Sequence, residues 1–302
     1  MDGTGMRNIL ITGGNGFTGI HACQHFLRQG YRVVSTRRLG DPASGERICD
    51  MTKKAEVDQI LKDVQPDYIL HLAGKNHAGE SWGNPELFMK ANVDGTLHLL
   101  ESARNNCPQA RILVIGSALE ICPVHDKPTH PYSYSKTMQT FLSMAWHHLY
   151  QANLSVVKPP NLIGPGPSTG VCAQFARNIA KGMKQGSAIL EINSSSLPRT
   201  YLDVRDAVTA YEDILVRGRA GVVYELDGGK RSTLEILANI YREIADCPII
   251  IKKKIMREEK EKNLSSRGKQ IFGDVAQKWT INPKYSLKQS LVDTLNYFQL
   301  SS

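Results

Sequence analysis

Short apolar runs and amphipathic stretches alternate along the first half of the chain. Ile9, Leu10 and Ile11 form the first run, inside Asn8 to Thr12, and the stretch Gly13-Gly14-Asn15-Gly16-Phe17-Thr18-Gly19 follows at once. A helical period then places Ile20, Ala22, Cys23, Phe26 and Leu27 on one face as far as Gln29, and Gly30 stops it. Tyr31 to Thr36 reads as a second strand, so the chain opens with a β-turn-α-β unit.

The alternation continues. Val57 to Val64 has a helical period, Asp67 to Ala73 reads as a strand, and Pro85 to Asn105 reads as one long amphipathic helix. Arg111 to Ile115 is a continuous apolar run of the kind found in a strand covered on both faces. A helix over Pro131 to Tyr150 and a strand at Ser155-Val156-Val157 follow. This order predicts an α/β fold with a doubly wound parallel sheet of the Rossmann kind. From Pro159 to Pro167 the chain is too rich in proline and glycine to predict an element, and shorter, mixed segments come after it. A helix near Val204 to Val216 and a strand near Val222 to Leu226 are expected to return to the main sheet. The expected division is a main domain over 1–159 plus about 204–226 and a smaller mixed α/β lobe over 160–203 plus 227–302. Ligands of such sheets sit at the carboxyl ends of the strands, here expected between the lobes.

At 302 residues and 41% hydrophobic composition, the chain can bury a large core without covalent staples. Six cysteines lie far apart, with no CxxC and no histidine at zinc-like spacing. No metal site is expected, and buried thiols in a reduced, cytoplasmic protein are. The first residues are polar and no apolar run approaches the ~18 residues of a membrane span, so neither secretion nor membrane insertion is expected. The formal net charge of +8 owes much to Lys252, Lys253, Lys254, Arg257, Lys260, Lys262, Arg267 and Lys269. Glu258, Glu259 and Glu261 interrupt this stretch and no aromatic residue interleaves it, which favours a solvated surface or a diphosphate subsite over nucleic acid.

The glycines gain meaning from their place between a strand and a helix. Gly13 permits a tight turn, Gly16 lets backbone N–H groups approach a pyrophosphate, and Gly19 allows close packing of helix on strand. Where an NAD-preferring protein places a carboxylate on the adenosine ribose, this chain has Thr36-Arg37-Arg38. An arginine pairs with a 2′-phosphate that a carboxylate would repel, so NADP(H) is the predicted cofactor, read by Arg37 and Arg38. In Tyr132-Ser133-Tyr134-Ser135-Lys136, Tyr132 and Lys136 lie four apart at a helix start and share one face. An ammonium beside a phenol is expected to lower its pKa toward the working range, as acid–base catalysis requires.

Taken together, the glycine motif, Leu70-His71-Leu72-Ala73-Gly74, Asn92-Val93-Asp94-Gly95-Thr96, Ile115-Gly116-Ser117, the Tyr132 to Lys136 motif, Asn161 to Gly166 and Arg199 to Asp206 resemble, in this order, the extended short-chain dehydrogenases of the nucleotide-sugar epimerase/dehydratase family. Pro66 to Ala73, Glu80-Ser81-Trp82 and Ile163 to Gly170 look most like the GDP-4-keto-6-deoxymannose reductases. The resemblance implies that Tyr132 is the proton donor, Lys136 its electrostatic partner and a holder of the nicotinamide ribose. Cofactor contacts would come from Gly13, Asn15, Gly16, Phe17, Thr18 and Gly19, from Asp50 and Met51 at the adenine, and from Leu72, Ala73, Gly74 and Lys75 on the phosphate and ribose side. Asn92 and Pro159 complete the implied cofactor set. Lys75, Ser117, Asn161, Arg199 and Arg257 would meet the sugar nucleotide. It also implies a homodimer through a four-helix interface formed by the helices near 85–105 and 131–150, burying Leu97, Leu100, Phe141 or Trp146.

Two departures bear on mechanism. Ala118 and Cys122-Pro123 stand where the family has a Ser or Thr and a Tyr-Gly pair, which leaves Ser117, one residue earlier, as the hydroxyl for the substrate oxygen. Family dehydratases carry Thr-Asp-Glu where this chain reads Ala118-Leu119-Glu120, so elimination lacks two of its three groups. The expected activity is therefore NADPH-dependent reduction of a nucleotide-linked 4-keto-6-deoxyhexose. The alternatives are a nucleotide-sugar 4-epimerase and a non-catalytic Rossmann protein that senses NADP or binds RNA.

Overall fold

In the computed structural model, residues 6–122, 126–193, 197–254 and 276–300 are described. Two compact units divide the chain: Met1–Pro159 with Val208–Leu226 and Leu264–Trp279, and Pro160–Ala207 with Asp227–Asn263 and Thr280–Ser302, each as far as the described residues go.

The first unit is built on alternating strands and helices. In chain order these are β1 (Asn8–Thr12), α1 (Phe17–Arg28), β2 (Arg32–Arg37), β3 (Glu46–Ile48), α2 (Lys54–Val64), β4 (Tyr68–His71), α3 (Ala78–Ser81) and α4 (Pro85–Met89). A π-helical turn (Lys90–Asp94) leads to α5 (Gly95–Asn106), then β5 (Arg111–Ile115), α6 (Pro131–Tyr150) and β6 (Leu154–Lys158). After the second unit's β7 (Asn161–Ile163), α7 (Val171–Gln185), β8 (Ala188–Asn193) and β9 (Arg199–Asp203), helix α8 (Val204–Arg217) leads to β10 (Val223–Asp227). The second unit resumes with β11 (Lys230–Ser232), α9 (Leu234–Ile244) and β12 (Ile249–Lys254); β13 (Ala276–Thr280) joins the first sheet and α10 (Leu287–Leu300) ends the chain.

The large sheet has the order β13-β10-β6-β5-β4-β1-β2-β3, and its pairings from β10 to β3 are parallel. Ile9, Leu10 and Ile11 are wholly buried, as a run covered on both faces must be. One core joins Leu10, Ile69, Ile112, Val114 and Val156 from the strands to Val57, Leu61, Leu99 and Leu100 from the helices. Each such side chain contributes roughly 1.5–3 kcal/mol on burial. The second unit has a three-stranded mixed sheet, β11-β9-β7, and the parallel pair β12-β8. Its own core centres on Phe175, Ile179, Leu190, Tyr241 and Leu291.

Three expectations change. The helix expected over Pro85 to Asn105 is two α-segments joined by the π-helical turn. Asn161–Ile163 is a strand inside the stretch expected to hold none, because β9 supplies its ladder in register from Asn161 opposite Tyr201. Leu100 is 1% exposed in its own unit's core, so it is no free dimer surface, whereas Trp146 is half-buried, packs on that core and donates Nε1–H to Glu101 at 2.7 Å.

Candidate active site

The turn after β1 has little room. Gly13 has φ +72°, and a Cβ there would stand 3.0 Å from the backbone of Ala73. Both facts require glycine. A Cβ on Gly19 would overlap the Gly13 carbonyl, so α1 starts hard against the turn that precedes it. Hydrogen bonds from Gly14 N–H to Thr36 O (2.8 Å) and from Gly16 N–H to Gly13 O (3.0 Å) fix the loop. Gly16 is the N-cap of α1 and brings no side-chain cap, which leaves the helix's positive end suited to an anion. Asn15 is exposed beside it; Phe17 and Thr18 are half-buried.

At the end of β2 the two arginines differ. Arg37 pairs with Glu46 at 3.0 Å and donates to the carbonyls of Leu39 (3.0 Å) and Asp41 (2.8 Å), which binds it into its own loop. Arg38 is exposed. Asp50 accepts from the Thr52 N–H and hydroxyl at 3.0 and 2.8 Å, while Met51 is buried in the core.

Beyond β4, Leu72 and Ala73 are half-buried, Gly74 is exposed, and the Ala73 N–H donates to Thr12 Oγ1 at 3.1 Å. Asn92 differs from its expected part. It is fully buried, and its amide is used up on the Lys75 backbone and on the Ser135 hydroxyl at 2.8 Å. Its place is beneath the Gly74-Lys75 segment, where it fixes that segment's path. A buried set continues below: His71 bridges the hydroxyls of Thr12 (2.8 Å) and Thr96 (3.0 Å), and Gln139 donates to Thr96 at 2.8 Å. Burial, with the charge of Lys136 adding to it, holds His71 down at about 3, so it is neutral.

Ser117, Tyr132 and Lys136 come together at the carboxyl end of β5. Helix α6 starts with Pro131 in its first turn and His130 as N-cap, whose Nδ1 accepts the Ser133 N–H at 2.9 Å. This cap places Tyr132 in the first turn, where the Ser117 hydroxyl acts on its phenol, with Phe88 edge-on to its ring at 6.2 Å. Ser117 Oγ also accepts the Leu119 N–H at 3.1 Å, and Ala118 is exposed, so the hydroxyl facing Tyr132 is the one at 117. Lys136 donates to the Ile115 carbonyl at 2.5 Å. Pro159, buried after β6, accepts the Ala118 N–H at 3.2 Å.

The electrostatics differ from expectation. Burial pushes Tyr132 up to about 12, with the Ser117 hydrogen bond opposing and Glu120 adding to the rise. Lys136 is brought down to about 8 by burial, which Glu120 opposes. Desolvation dominates, the opposing pull comes from Ser117 rather than from the ammonium, and Tyr132 is held as a neutral phenol.

In the second unit, Asn161 on β7 donates to the Thr200 carbonyl at 3.0 Å, and Arg199 is exposed at the start of β9. Arg257 lies outside the described residues. Sequence reasoning missed Lys158, which closes β6 one residue before Pro159 and pairs with Glu120 at 2.9 Å. A charge ending an apolar strand was the available signal.

Residues 9–226 match the NAD dependent epimerase/dehydratase family. The chain is 30% identical over 299 residues to the GDP-6-deoxy-D-mannose reductase of Pseudomonas aeruginosa, covering 94% of this chain and 95% of that protein. It is 26% identical to the dTDP-glucose 4,6-dehydratase of Neisseria gonorrhoeae, covering 80% and 78%. Among solved structures, RMD from Pseudomonas aeruginosa complexed with NADPH superposes with a TM-score of 0.75 at 24% identity, over 98% of this chain and 100% of that one. The UDP-glucose 4-epimerase of Thermus thermophilus in complex with NAD superposes with a TM-score of 0.77 at 19% identity, over 98% and 100%. These likenesses show the fold.

Proposed function

This chain belongs to the NAD dependent epimerase/dehydratase family, and we propose that it is an NADP(H)-dependent oxidoreductase that reduces the 4-keto carbon of a nucleotide-linked 4-keto-6-deoxyhexose. The observation that carries this reading is the buried Ser117–Tyr132 pair, with Tyr132 on the Lys136 helix and Ser117 in a loop that keeps a dehydratase's Glu but lacks its Thr and Asp. Position 118 is alanine, position 119 is leucine, and the carboxylate of Glu120 is buried in an ion pair with Lys158. A reduction needs one hydride and one proton, and a neutral phenol can give the proton.

The glycine turn fits the cofactor: its space admits no side chain at Gly13 or Gly19, and the uncapped start of α1 favours a diphosphate. Gly13 to Gly19 would hold the diphosphate, Ala73 to Lys75 the ribose side, and Arg38 the 2′-phosphate, with Arg37 shaping the loop. NADPH, when bound, supplies the hydride. Tyr132 holds the proton on its phenolic oxygen and gives it to the oxygen of the sugar carbonyl. Ser117 donates a hydrogen bond to that oxygen, an interaction worth about 2–4 kcal/mol in comparable sites. Lys136 lends positive charge beside the phenolate as it forms. Asn161, Arg199 and Arg257 would hold the sugar nucleotide.

The same reading makes the protein a cytoplasmic homodimer. Its apolar face would be the half-exposed Leu97, Met138, Phe141 and Leu142 of α5 and α6. Among the described residues no helix is long and apolar enough to cross a membrane. The test is oxidation of NADPH with GDP-, UDP- and dTDP-linked 4-keto-6-deoxyhexoses. Turnover that Tyr132→Phe lowers by roughly 10²-fold or more is expected; tight NADPH binding with no turnover on any of them would overturn the reading.

A further inference from the structure

The loop after β5 folds back on its own start. Glu120 Oε1 accepts the Ser117 N–H at 2.8 Å, and Oε2 meets Lys158 Nζ at 2.9 Å. These side chains are only 3% and 10% exposed. The approach is tight enough that a Cβ on residue 116 would stand 2.5 Å from Glu120 Oε1, which accounts for Gly116.

A buried ion pair is a poor way to gain stability. Desolvating both charges costs about what their attraction returns, and apolar residues of similar volume often do as well. The location suggests another use. Glu120 holds the backbone of the residue whose hydroxyl meets Tyr132, and its charge acts on both Tyr132 and Lys136. Among the described residues, the other titratable groups facing this pair are His71 from β4, which is neutral, and His130, whose ring stacks on Tyr132 at 5.7 Å.

We propose that Glu120 and Lys158 form a positioning pair for the reductase site: Glu120 fixes Ser117 against Tyr132, and Lys158 offsets part of the negative charge that Glu120 imposes on Tyr132 and Lys136. This rests on the proposed reduction for its consequence in catalysis, while the charge balance itself belongs to the protein without substrate. Neither residue touches the reacting atoms.

The two halves of the pair act with opposite sign. Glu120→Gln keeps an acceptor for Ser117 but removes the anion while Lys158 keeps its charge, so protons on Tyr132 and Lys136 are held less tightly. Lys158→Met leaves the anion uncompensated, so they are held more tightly. The double variant restores neutrality and should fall between them.

The test is NMR titration of Lys136 in protein labelled with 13C at lysine Cε, its signal identified by loss in Lys136→Arg. The wild-type midpoint near pH 8 should fall by about one unit in Glu120→Gln and rise by about one unit in Lys158→Met. Where turnover is measurable, the alkaline limb of the kcat profile should move the same way. Shifts in the same direction, or unchanged midpoints with reduced activity, would overturn the proposal. If a single variant does not fold, the double variant against wild type decides: a midpoint moved by as much as one unit contradicts an offset between the two charges. Absence of keto-sugar turnover would overturn the proposed function and leave the Lys136 titration to judge the pair.

Discussion

Asn92 and Lys75 exchange two hydrogen bonds, the Asn92 side chain accepting the Lys75 N–H at 2.8 Å and donating to the Lys75 carbonyl at 3.0 Å. A side-chain amide thus takes the place of a strand partner. Asn92→Ala should orphan these backbone groups and the Ser135 contact, at a cost of about 2 kcal/mol or more. Denaturant unfolding checks this; NADPH affinity should fall as well if the 73–75 segment carries the ribose side.

Cofactor preference should separate the two arginines. Arg38→Ala is expected to weaken NADPH binding about tenfold and leave NADH nearly unchanged. Arg37→Ala should also lower Tm, since its guanidinium holds Glu46 and two loop carbonyls. Calorimetric titration with both cofactors distinguishes them, and equal affinity of the wild type for NADPH and NADH would refute the premise.

The chemistry should respond to the phenol and hydroxyl separately. Tyr132→Phe is expected to lower kcat by roughly 10²-fold or more with little change in NADPH binding. Ser117→Ala should cost on the order of tenfold, and Ala118→Ser should not reduce the rate. Steady-state kinetics on the best keto-sugar measures all three.

Acid stability should carry the signature of His71. Its pKa is about 3 when folded against the ordinary 6.5, so between those values the unfolded chain binds the extra proton. Stability from this source is complete above about pH 6.5 and is lost as pH falls toward 3. From pH 6.5 to pH 5 the loss should be about 2 kcal/mol. Urea unfolding should show that slope in the wild type and a flatter one in His71→Gln.

The α/β architecture was legible because each early strand is a short apolar run and each helix carries a face. Tyr132 and Lys136 were legible because Pro131 marks the start of their helix and their spacing puts them on one face. The pairing of Asn161–Ile163 was not, since proline and glycine surround it and its ladder comes from β9, far along the chain. Glu120 could be read only as a residue lacking its dehydratase companions, because nothing local says that β6 brings Lys158 beside it. Arg37 looked available for a phosphate until the loop returned Glu46 to it.

The π-helical turn at Lys90–Asp94 sets an angular phase. One surplus residue in a helix turns everything before it by about 100° relative to everything after it. Phe88, upstream, points its ring at Tyr132, while Thr96, downstream, meets His71 and Gln139. A straight α-helix of the same composition could serve one of these directions but not both. Deleting Ala91, which lies before Asn92 and so spares the Thr96 hydroxyl's bond to the Asn92 carbonyl, would therefore swing Phe88 off the phenol and leave the Thr96 contacts in place, uncoupling the ring that packs on the candidate acid from the polar layer beneath it.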